Sequence, residues 1–188
     1  MSWLLGSAGV GLGLSTIGIL PFRRPLKTSA SLPKLYQSQQ RMMGTWVSLT
    51  LFSHQEAQAM DALREAFSAM KTIDDLMTIH RSNSQISHLN QTAGRQMISV
   101  NSKVIEVLER AQYFSEKSDG AYDVTILPLM RLFGFYTNAP KRIPKDKEIA
   151  TTLEHIGYRH ITIDRTNHQV GLNKKHIAID LGSIGKGF

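Results

Sequence analysis

The order of apolar and polar residues predicts a strand followed by a long helix in the first half of the chain. Residues 46–52 alternate between the two classes and are rich in β-branched and aromatic side chains, as is typical of a strand with one buried face. Between His54 and Met77, apolar residues recur from Met60 onward at a spacing close to 3.6, interrupted only by Asp74. That period predicts an amphipathic helix.

Further helices and strands are predicted downstream. A helix is predicted over residues 101–118, because an asparagine-serine pair caps its start and an aspartate-glycine pair ends it. Another is predicted over residues 144–157. Short β-rich runs predict strands at 160–164, 169–172 and 178–180, the first two joined as a hairpin. Helices and strands mix without a regular β-α-β alternation, which favours an α+β fold.

Three segments show neither the alternation of a strand nor the 3.6-residue period of a helix, and they are predicted to be irregular. Residues 23–40 are polar and contain proline, and we place a linker at residues 31–42, ahead of a domain that begins at residue 43. Residues 81–100 are polar and typical of a loop. Residues 126–140 combine proline, glycine and aromatic side chains, and we expect them to form an irregular stretch.

The first thirty residues are predicted to be an export signal or a membrane anchor. Residues 2–22 carry no charge and are rich in apolar residues, glycine and serine. A basic start is missing, and an arginine pair just upstream would complete a twin-arginine signal, so we expect the natural start to lie further upstream. The protein is therefore predicted to be periplasmic, exported or anchored at the inner membrane.

The composition excludes several kinds of site and makes a nucleic-acid partner unexpected. The 188 residues are 41% hydrophobic and 20% charged, which is typical of a globular chain, and the absence of cysteine excludes disulfides and zinc-thiolate sites. The seven histidines lack the spacing of a metal site. A net charge of +7 is compatible with nucleic acid, but the lysines and arginines are scattered and form no basic patch rich in aromatic residues. Nucleic acid is not an expected partner.

The last eleven residues carry the most specific chemistry. Residues 178–188 read Ala-Ile-Asp-Leu-Gly-Ser-Ile-Gly-Lys-Gly-Phe, with three glycines within six positions of a turn that follows an apolar run. Glycine allows the backbone to approach a bulky anionic ligand closely. The aspartate can accept a hydrogen bond from a base or ribose, the serine oxygen can reach a metal, and the lysine can offset phosphate charge. The segment indicates a phosphate-bearing ligand together with a hard metal ion.

Other polar segments leave a structural and a functional interpretation open. Residues 120–125 are either a helix C-cap that runs into a strand, or a glycine-led turn that brings its tyrosine and aspartate to a ligand. His80 and the polar run at 81–90 are either a packing histidine before a surface loop or part of the same site. Met43, before the first predicted strand, belongs either to the core or to the wall of a ligand site.

Taken in order, four motifs closely resemble those of the ApbE family of FAD:protein FMN transferases. They are Met-Gly-Thr at 43–45, the serine- and asparagine-rich segment at 76–90, Gly-Ala-Tyr-Asp-Val-Thr with the following Phe-Gly-Phe at 120–135, and the glycine-rich end at 180–188. The resemblance extends over residues 43–188 without large gaps. It implies a mixed domain with long amphipathic helices packed on a largely antiparallel sheet, incomplete at its C-terminal end.

The resemblance also implies roles for individual residues, although it identifies no catalytic group. Ser183 falls at a metal-ligand position where the family can use a backbone carbonyl. His80 stands where the family often has tyrosine, and an imidazole can still stack and hydrogen-bond. The residues implied to contact FAD are Met43, His80, Ala121, Tyr122, Asp123, Asp180 and Lys186.

Membership in this family would imply Mg²⁺-dependent transfer of FMN from FAD to a threonine or serine hydroxyl of an acceptor protein, with release of AMP. The expected acceptors are flavoprotein subunits of membrane redox complexes and exported reductases. Family members extend well past the last motif, where further Mg²⁺ ligands lie, so the chain looks like roughly the first half to two-thirds of such an enzyme. The alternative is a degenerate relative that binds flavin without transferring it.

Overall fold

The computed structural model describes residues 31–136 and 142–188, and the elements below lie in a compact unit that extends from Pro33 to Phe188. The segment predicted to direct export lies outside the described residues. Among the helices of the described chain, none combines the length and the apolar character needed to cross a membrane.

The domain begins earlier than predicted, with a β-hairpin. Strand β1 (Lys34–Met42) pairs antiparallel with strand β2 (Thr45–Ser53), in a register that joins Met42 to Thr45. The linker prediction for residues 31–42 is therefore wrong over β1. Its many polar residues conceal the strand, because one face of the hairpin remains exposed and does not need apolar side chains. The strand prediction at 46–52 is confirmed.

The long helix α1 (Glu56–Met77) is confirmed, with a small rotation relative to the predicted face. Leu63, Phe67 and Met77 are buried as expected, but Met60 is 50% exposed and the smaller Ala59 takes the inward position beside it. Asp74, which interrupted the apolar period, forms an ion pair with Arg81. The break in the pattern therefore marks a partly buried charge with a partner.

The segment at 81–100 is not a loop throughout. It contains helix α2 (Gln85–Gln91) and the short strand β3 (Ile98–Ser99). The Ser84 hydroxyl oxygen caps α2 by accepting from the backbone N–H of Ser87 at 3.0 Å. Ile86 is fully buried, and so is Leu89 one turn later on the same face. A seven-residue helix offers only these two apolar positions, too few to show a period against polar neighbours.

Helix α3 (Ser102–Lys117) and the hairpin of β4 (Ile161–Asp164) and β5 (Gln169–Leu172) confirm their predictions. The three strands form an antiparallel sheet in the order β3-β5-β4. The core between this sheet and the helices contains fully buried residues from several elements: Ile86, Leu89, Val104, Leu108, Val170, Ile177, Ile179 and Leu181. This mixture of helices with small antiparallel sheets confirms the α+β class.

Two helices differ from their predicted extents. Helix α4 (Leu127–Leu132) occupies part of the stretch expected to be irregular, and a proline in its first turn is compatible with a helix start. Helix α5 (Asp146–Leu153) is shorter than predicted and is followed by a 3₁₀ helix at Tyr158–His160. Gly157, which precedes the 3₁₀ helix, has a φ of 155° that favours glycine.

The strand predicted at 178–180 is replaced by an extended segment whose partners are unusual. The Asn90 side chain donates to the carbonyl oxygen of Ile179 at 2.9 Å and accepts from the Ile179 N–H at 2.8 Å. The N–H of Asp180 donates to the carbonyl of Val124 at 2.8 Å. Because a side-chain amide supplies the bonds that a neighbouring strand would make, only one β-bridge forms here, between Ala178 and Ile126. Asn90 therefore fixes the backbone that leads into Asp180.

Candidate functional site

The glycine-rich end of the chain forms a tight series of turns. The N–H groups of Ile184 and Gly185 both donate to the carbonyl of Leu181, at 3.1 and 2.7 Å. A Cβ on Gly185 would lie 3.1 Å from that same carbonyl oxygen, so a larger residue would crowd the turn. The Asp180 carboxylate accepts from the N–H of Gly182 at 2.9 Å, which holds the side chain over the turn. We call residues 180–187 the Asp180 turn.

Asp180 and His80 are joined through Tyr136, which the sequence analysis did not select. The Tyr136 ring packs edge-on against the imidazole of His80, with ring centroids 5.4 Å apart. Burial raises the pKa of Tyr136 above its usual value, and the charge of Asp180 and a side-chain hydrogen bond to that carboxylate add to the rise. Tyr136 also has a φ of 60°, which is uncommon for a bulky residue. Three separate segments therefore meet at this point.

Tyr122, from the motif at residues 120–125, contacts the Asp180 turn. Its hydroxyl lies 3.1 Å from the hydroxyl oxygen of Ser183, and either group can donate. The ring of Tyr122 is held edge-on by Phe114 of α3, and its backbone N–H donates to the Ser118 side chain at 2.9 Å. The structure thus places Tyr122 and Ser183 in direct contact, beside Asp180.

Asp123 has a different environment from Asp180. One carboxylate oxygen accepts from the N–H and the hydroxyl of Thr125, at 2.8 and 2.7 Å, and the other accepts from the N–H of Tyr158 at 2.8 Å. The Thr125 hydroxyl oxygen accepts in turn from the N–H of Gly157 at 2.8 Å. The carboxylate therefore ties the 120–125 turn to the 3₁₀ helix, and three of its roughly four acceptor positions are used within the fold.

The remaining predicted residues lie apart from these contacts. Met43 is partly buried in the β1–β2 turn, where it has a φ of 51°. Ala121 is exposed, and its N–H donates to the Ser118 carbonyl at 3.1 Å. Lys186 is exposed, and among the described residues no carboxylate or other hydrogen-bond partner meets its ammonium group. These three are thus not connected by hydrogen bonds to the cluster of His80 and Asp180.

A cavity of about 540 Å³ opens beside His80. It lies between the loop at 79–82, helix α2, the end of α4 and residues 176–178, and we call it the Arg131 cavity after its one arginine. His80 is the only predicted contact residue that lines it. Neither Arg131 nor Tyr136 carried a sequence signal, except that Tyr136 directly follows the Phe-Gly-Phe motif.

The donor set at the Asp180 turn fits a hard divalent ion in part. A Mg²⁺ ion is usually bound through one or two carboxylates together with substrate phosphates and water. Asp180 supplies one carboxylate and Ser183 supplies a hydroxyl oxygen, whereas no cluster of three histidine or acidic residues exists among residues 31–136 and 142–188. These residues could contribute to a Mg²⁺ site that is completed by other oxygen ligands.

Comparison with known proteins gives a consistent result for most of the chain. The sequence profile of the ApbE family matches residues 43–188. A protein named FAD:protein FMN transferase from Klebsiella pneumoniae is 30% identical over 157 residues, which cover 82% of this chain and 48% of that protein. A protein of the same name from Vibrio cholerae is 28% identical over 63% of this chain and 35% of its own length.

Solved structures show the same fold. An ApbE protein from Thermotoga maritima superposes with a TM-score of 0.72 at 28% identity, covering 82% of this chain and 49% of its own. The flavin transferase ApbE from Vibrio cholerae has a TM-score of 0.73 at 23% identity and covers the same share of this chain. The chain therefore spans about half the length of the relatives that it matches.

Proposed function

Because the chain belongs to the ApbE family, we propose that the protein of which it forms part is an FAD:protein FMN transferase. The observation that carries this proposal is the contact path from His80 through Tyr136 to Asp180, with Ser183 and Tyr122 next to it. Residues from three of the four family motifs converge there. The names of the relatives from Klebsiella and Vibrio support flavin transfer as the reaction.

In the proposed reaction, the hydroxyl oxygen of a threonine or serine on the acceptor protein forms a bond to the phosphorus of the FMN half of FAD. The phosphoanhydride bond to the adenylate half breaks, AMP leaves, and the hydroxyl proton is released. The acceptor is proposed to be a flavoprotein subunit of a membrane redox complex or an exported reductase. The geometry identifies no general base, and we assign none.

The residues of this chain have distinct proposed roles in that reaction. The N–H of Gly182 holds the Asp180 carboxylate, and we propose that this carboxylate accepts a hydrogen bond from FAD. The exposed ammonium of Lys186 can offset phosphate charge. Asp180 and Ser183 would hold Mg²⁺ with the phosphates, and the ion, when bound, offsets charge on the phosphate oxygens as the bond breaks.

The test is transfer to a co-expressed acceptor, followed by mass spectrometry. We expect the full-length protein to add the mass of FMN to the acceptor, a chelator to abolish the addition, and excess Mg²⁺ to restore it. Asp180→Ala should reduce labelling, whereas Asp61→Ala, which changes an exposed aspartate on α1, should not. Equal labelling with and without chelator would show that FMN transfer does not need Mg²⁺. FAD binding without any labelling would favour a flavin-binding relative.

We also propose that the protein acts in the periplasm, directed there by residues 1–30, with membrane association through that segment. The support is the uncharged apolar run at 2–22. A fusion of this segment, with its natural upstream start, to a reporter that is active only in the periplasm should be active. A fusion that stays in the cytoplasm would show that the segment does not direct export.

A further inference from the structure

Two aromatic side chains are exposed near the C-terminal end of α3. Tyr113 is 54% exposed and Phe114 is 50% exposed. The other exposed residues of this helix are all polar or charged: Ser102, Lys103, Glu106, Arg110, Glu116 and Lys117. A helix that packs one face on a core normally presents polar side chains on the opposite face. The exposed parts of these two rings therefore serve no purpose in the packing of α3 itself.

The two rings belong to a continuous row of aromatic side chains that ends at the Asp180 turn. The rings of Tyr113 and Phe114 meet edge-on with their centroids 5.4 Å apart, and those of Phe114 and Tyr122 do so at 6.4 Å. The Tyr122 hydroxyl in turn lies 3.1 Å from the hydroxyl oxygen of Ser183. We call Tyr113, Phe114 and Tyr122 the aromatic strip. It extends the surface beside the Asp180 turn onto α3.

The aromatic strip is held in place by its neighbours. The Lys117 ammonium lies 5.7 Å from the centroid of the Tyr113 ring, a distance at which a cation and an aromatic ring attract each other. Phe114 contacts both other rings, and the backbone N–H of Tyr122 is fixed by the Ser118 side chain. Side chains that are ordered before binding lose less conformational entropy when a partner covers them. Aromatic rings are also enriched where proteins bind one another.

We propose that the aromatic strip is the docking surface for the acceptor protein, whose hydroxyl-bearing segment crosses from α3 to the Asp180 turn. This inference rests on the proposed function. An FMN transferase must bring a protein hydroxyl to the phosphates of FAD, so a polypeptide has to cover surface next to the Asp180 turn. The strip supplies such a surface, because Tyr122 contacts Ser183. The acceptor presents apolar side chains to Tyr113 and Phe114.

The first test is steady-state FMN transfer by the full-length protein to a purified acceptor that the wild type labels. We expect Tyr113→Ala to raise the KM for the acceptor on the order of tenfold, because an aromatic anchor is lost, while kcat and FAD affinity stay unchanged. Tyr113 suits this test because its ring contacts Phe114 and Lys117, which lie outside the Asp180 turn. Phe52→Ala is the matched control, since Phe52 is 68% exposed on β2, outside the strip.

The second test measures directly whether the acceptor covers the strip. The 188 residues contain no cysteine, so Tyr113→Cys introduces a single thiol into this part of the full-length protein. Mass spectrometry of the peptide that contains this thiol gives its rate of alkylation by iodoacetamide. We expect the acceptor to slow the alkylation and FAD alone to leave it unchanged. In Phe52→Cys, the acceptor should not change the rate.

The opposite outcomes overturn the docking proposal. An equal acceptor KM for Tyr113→Ala and Phe52→Ala, or a thiol in Tyr113→Cys that the acceptor does not protect, shows that the acceptor docks elsewhere. A thiol that is unreactive without acceptor shows that the rest of the full-length chain covers the strip. Protection that increases with the concentration of the protein itself shows that a second copy covers it. Loss of FAD affinity in Tyr113→Ala shows that the strip supports the flavin site instead.

Failure of the proposed function gives a different result. In that case the wild type transfers no FMN to any acceptor, and the docking proposal falls with it. If only the docking proposal is wrong, the wild type labels the acceptor and Tyr113→Ala labels it with the same KM.

Discussion

The 120–125 turn and the Asp180 turn look alike as sequences, and the structure separates them. Each combines glycine with an aspartate after an apolar or helical segment, and each belongs to a motif of the same family. In the first, the Asp123 carboxylate accepts three hydrogen bonds from Thr125 and Tyr158. In the second, the Asp180 carboxylate accepts one backbone bond, from Gly182, and meets Tyr136 at a partly open surface.

The difference teaches that a motif aspartate can serve the fold or the ligand. A carboxylate whose oxygens are occupied by backbone and hydroxyl donors has little capacity left for a substrate. A carboxylate with few internal partners is available to bind. Asp123 thus fixes the turn that carries Tyr122, whereas Asp180 is the carboxylate that we propose meets the ligand.

The largest expected effect is on stability, from Asp123→Ala. Loss of three hydrogen bonds to a charged acceptor would leave the N–H groups of Thr125 and Tyr158 without partners, and we expect about 3 kcal/mol less free energy of unfolding. Urea denaturation followed by circular dichroism measures this. Asp61→Ala, which removes only an exposed ion pair with Arg64, should cost below about 1 kcal/mol. If Asp123→Ala keeps its stability but loses FAD binding, then Asp123 contacts the ligand and does not hold the fold.

Asn90→Ala should have the next largest effect. It leaves both backbone groups of the fully buried Ile179 without partners, which we expect to cost about 2–3 kcal/mol of unfolding free energy. Asn173→Ala is the control, since the Asn173 side chain bonds only the Thr162 hydroxyl, at an exposed position. Equal urea midpoints for the two variants would show that Asn90 does not hold the segment before Asp180.

Asp180→Ala should separate binding from folding. We expect FAD affinity to fall roughly 10- to 150-fold, as for loss of a hydrogen bond to a charged group, while unfolding free energy changes by less than about 1 kcal/mol. Calorimetry with FAD and urea denaturation of the same sample provide both values. If a folded variant binds FAD as well as the wild type does, Asp180 is not a ligand contact.

Glu148→Gln should have the smallest effect on stability, and it shows how much an exposed ion pair contributes in this protein. The side-chain hydrogen bond from Arg142 and the backbone N–H of Lys145 lower the pKa of Glu148 to about 2. Because the folded pKa lies below the unfolded value, the pair stabilises the protein above about pH 4.5, and this contribution disappears as the pH falls toward about 2. The urea midpoints of wild type and variant should differ slightly at pH 7 and converge at low pH. A difference that persists at pH 2 would contradict this origin.

The sequence predicted elements whose apolar residues alternate or recur over many positions. Helices α1 and α3 repeat an apolar pattern over several turns, and the β4–β5 hairpin has recognisable turn residues. These features can be recognised from neighbouring residues in the sequence. Strand β1 was missed because its exposed face carries polar residues, and α2 because it is short. The predicted strand at 178–180 was wrong because Asn90, distant in sequence, provides its hydrogen bonds.

The candidate site was predictable to a similar extent. Tyr122 and Ser183, which the sequence analysis named in two separate motifs, are in contact. Tyr136 and Arg131 were not selected, because their importance depends on which segments face each other and no local pattern carries that information. The occupied state of the Asp123 carboxylate likewise depends on Tyr158, which is far away in sequence.

The double hydrogen bond between Asn90 and Ile179 has a consequence for local opening of the protein. Because the Ile179 N–H donates to a side chain of α2, we expect that amide to exchange its hydrogen with solvent only when this contact opens. These two bonds couple the segment before the Asp180 turn to α2. A ligand that holds the Asp180 turn in place is therefore expected to slow exchange of the Ile179 amide as well, which hydrogen exchange with and without ligand measures.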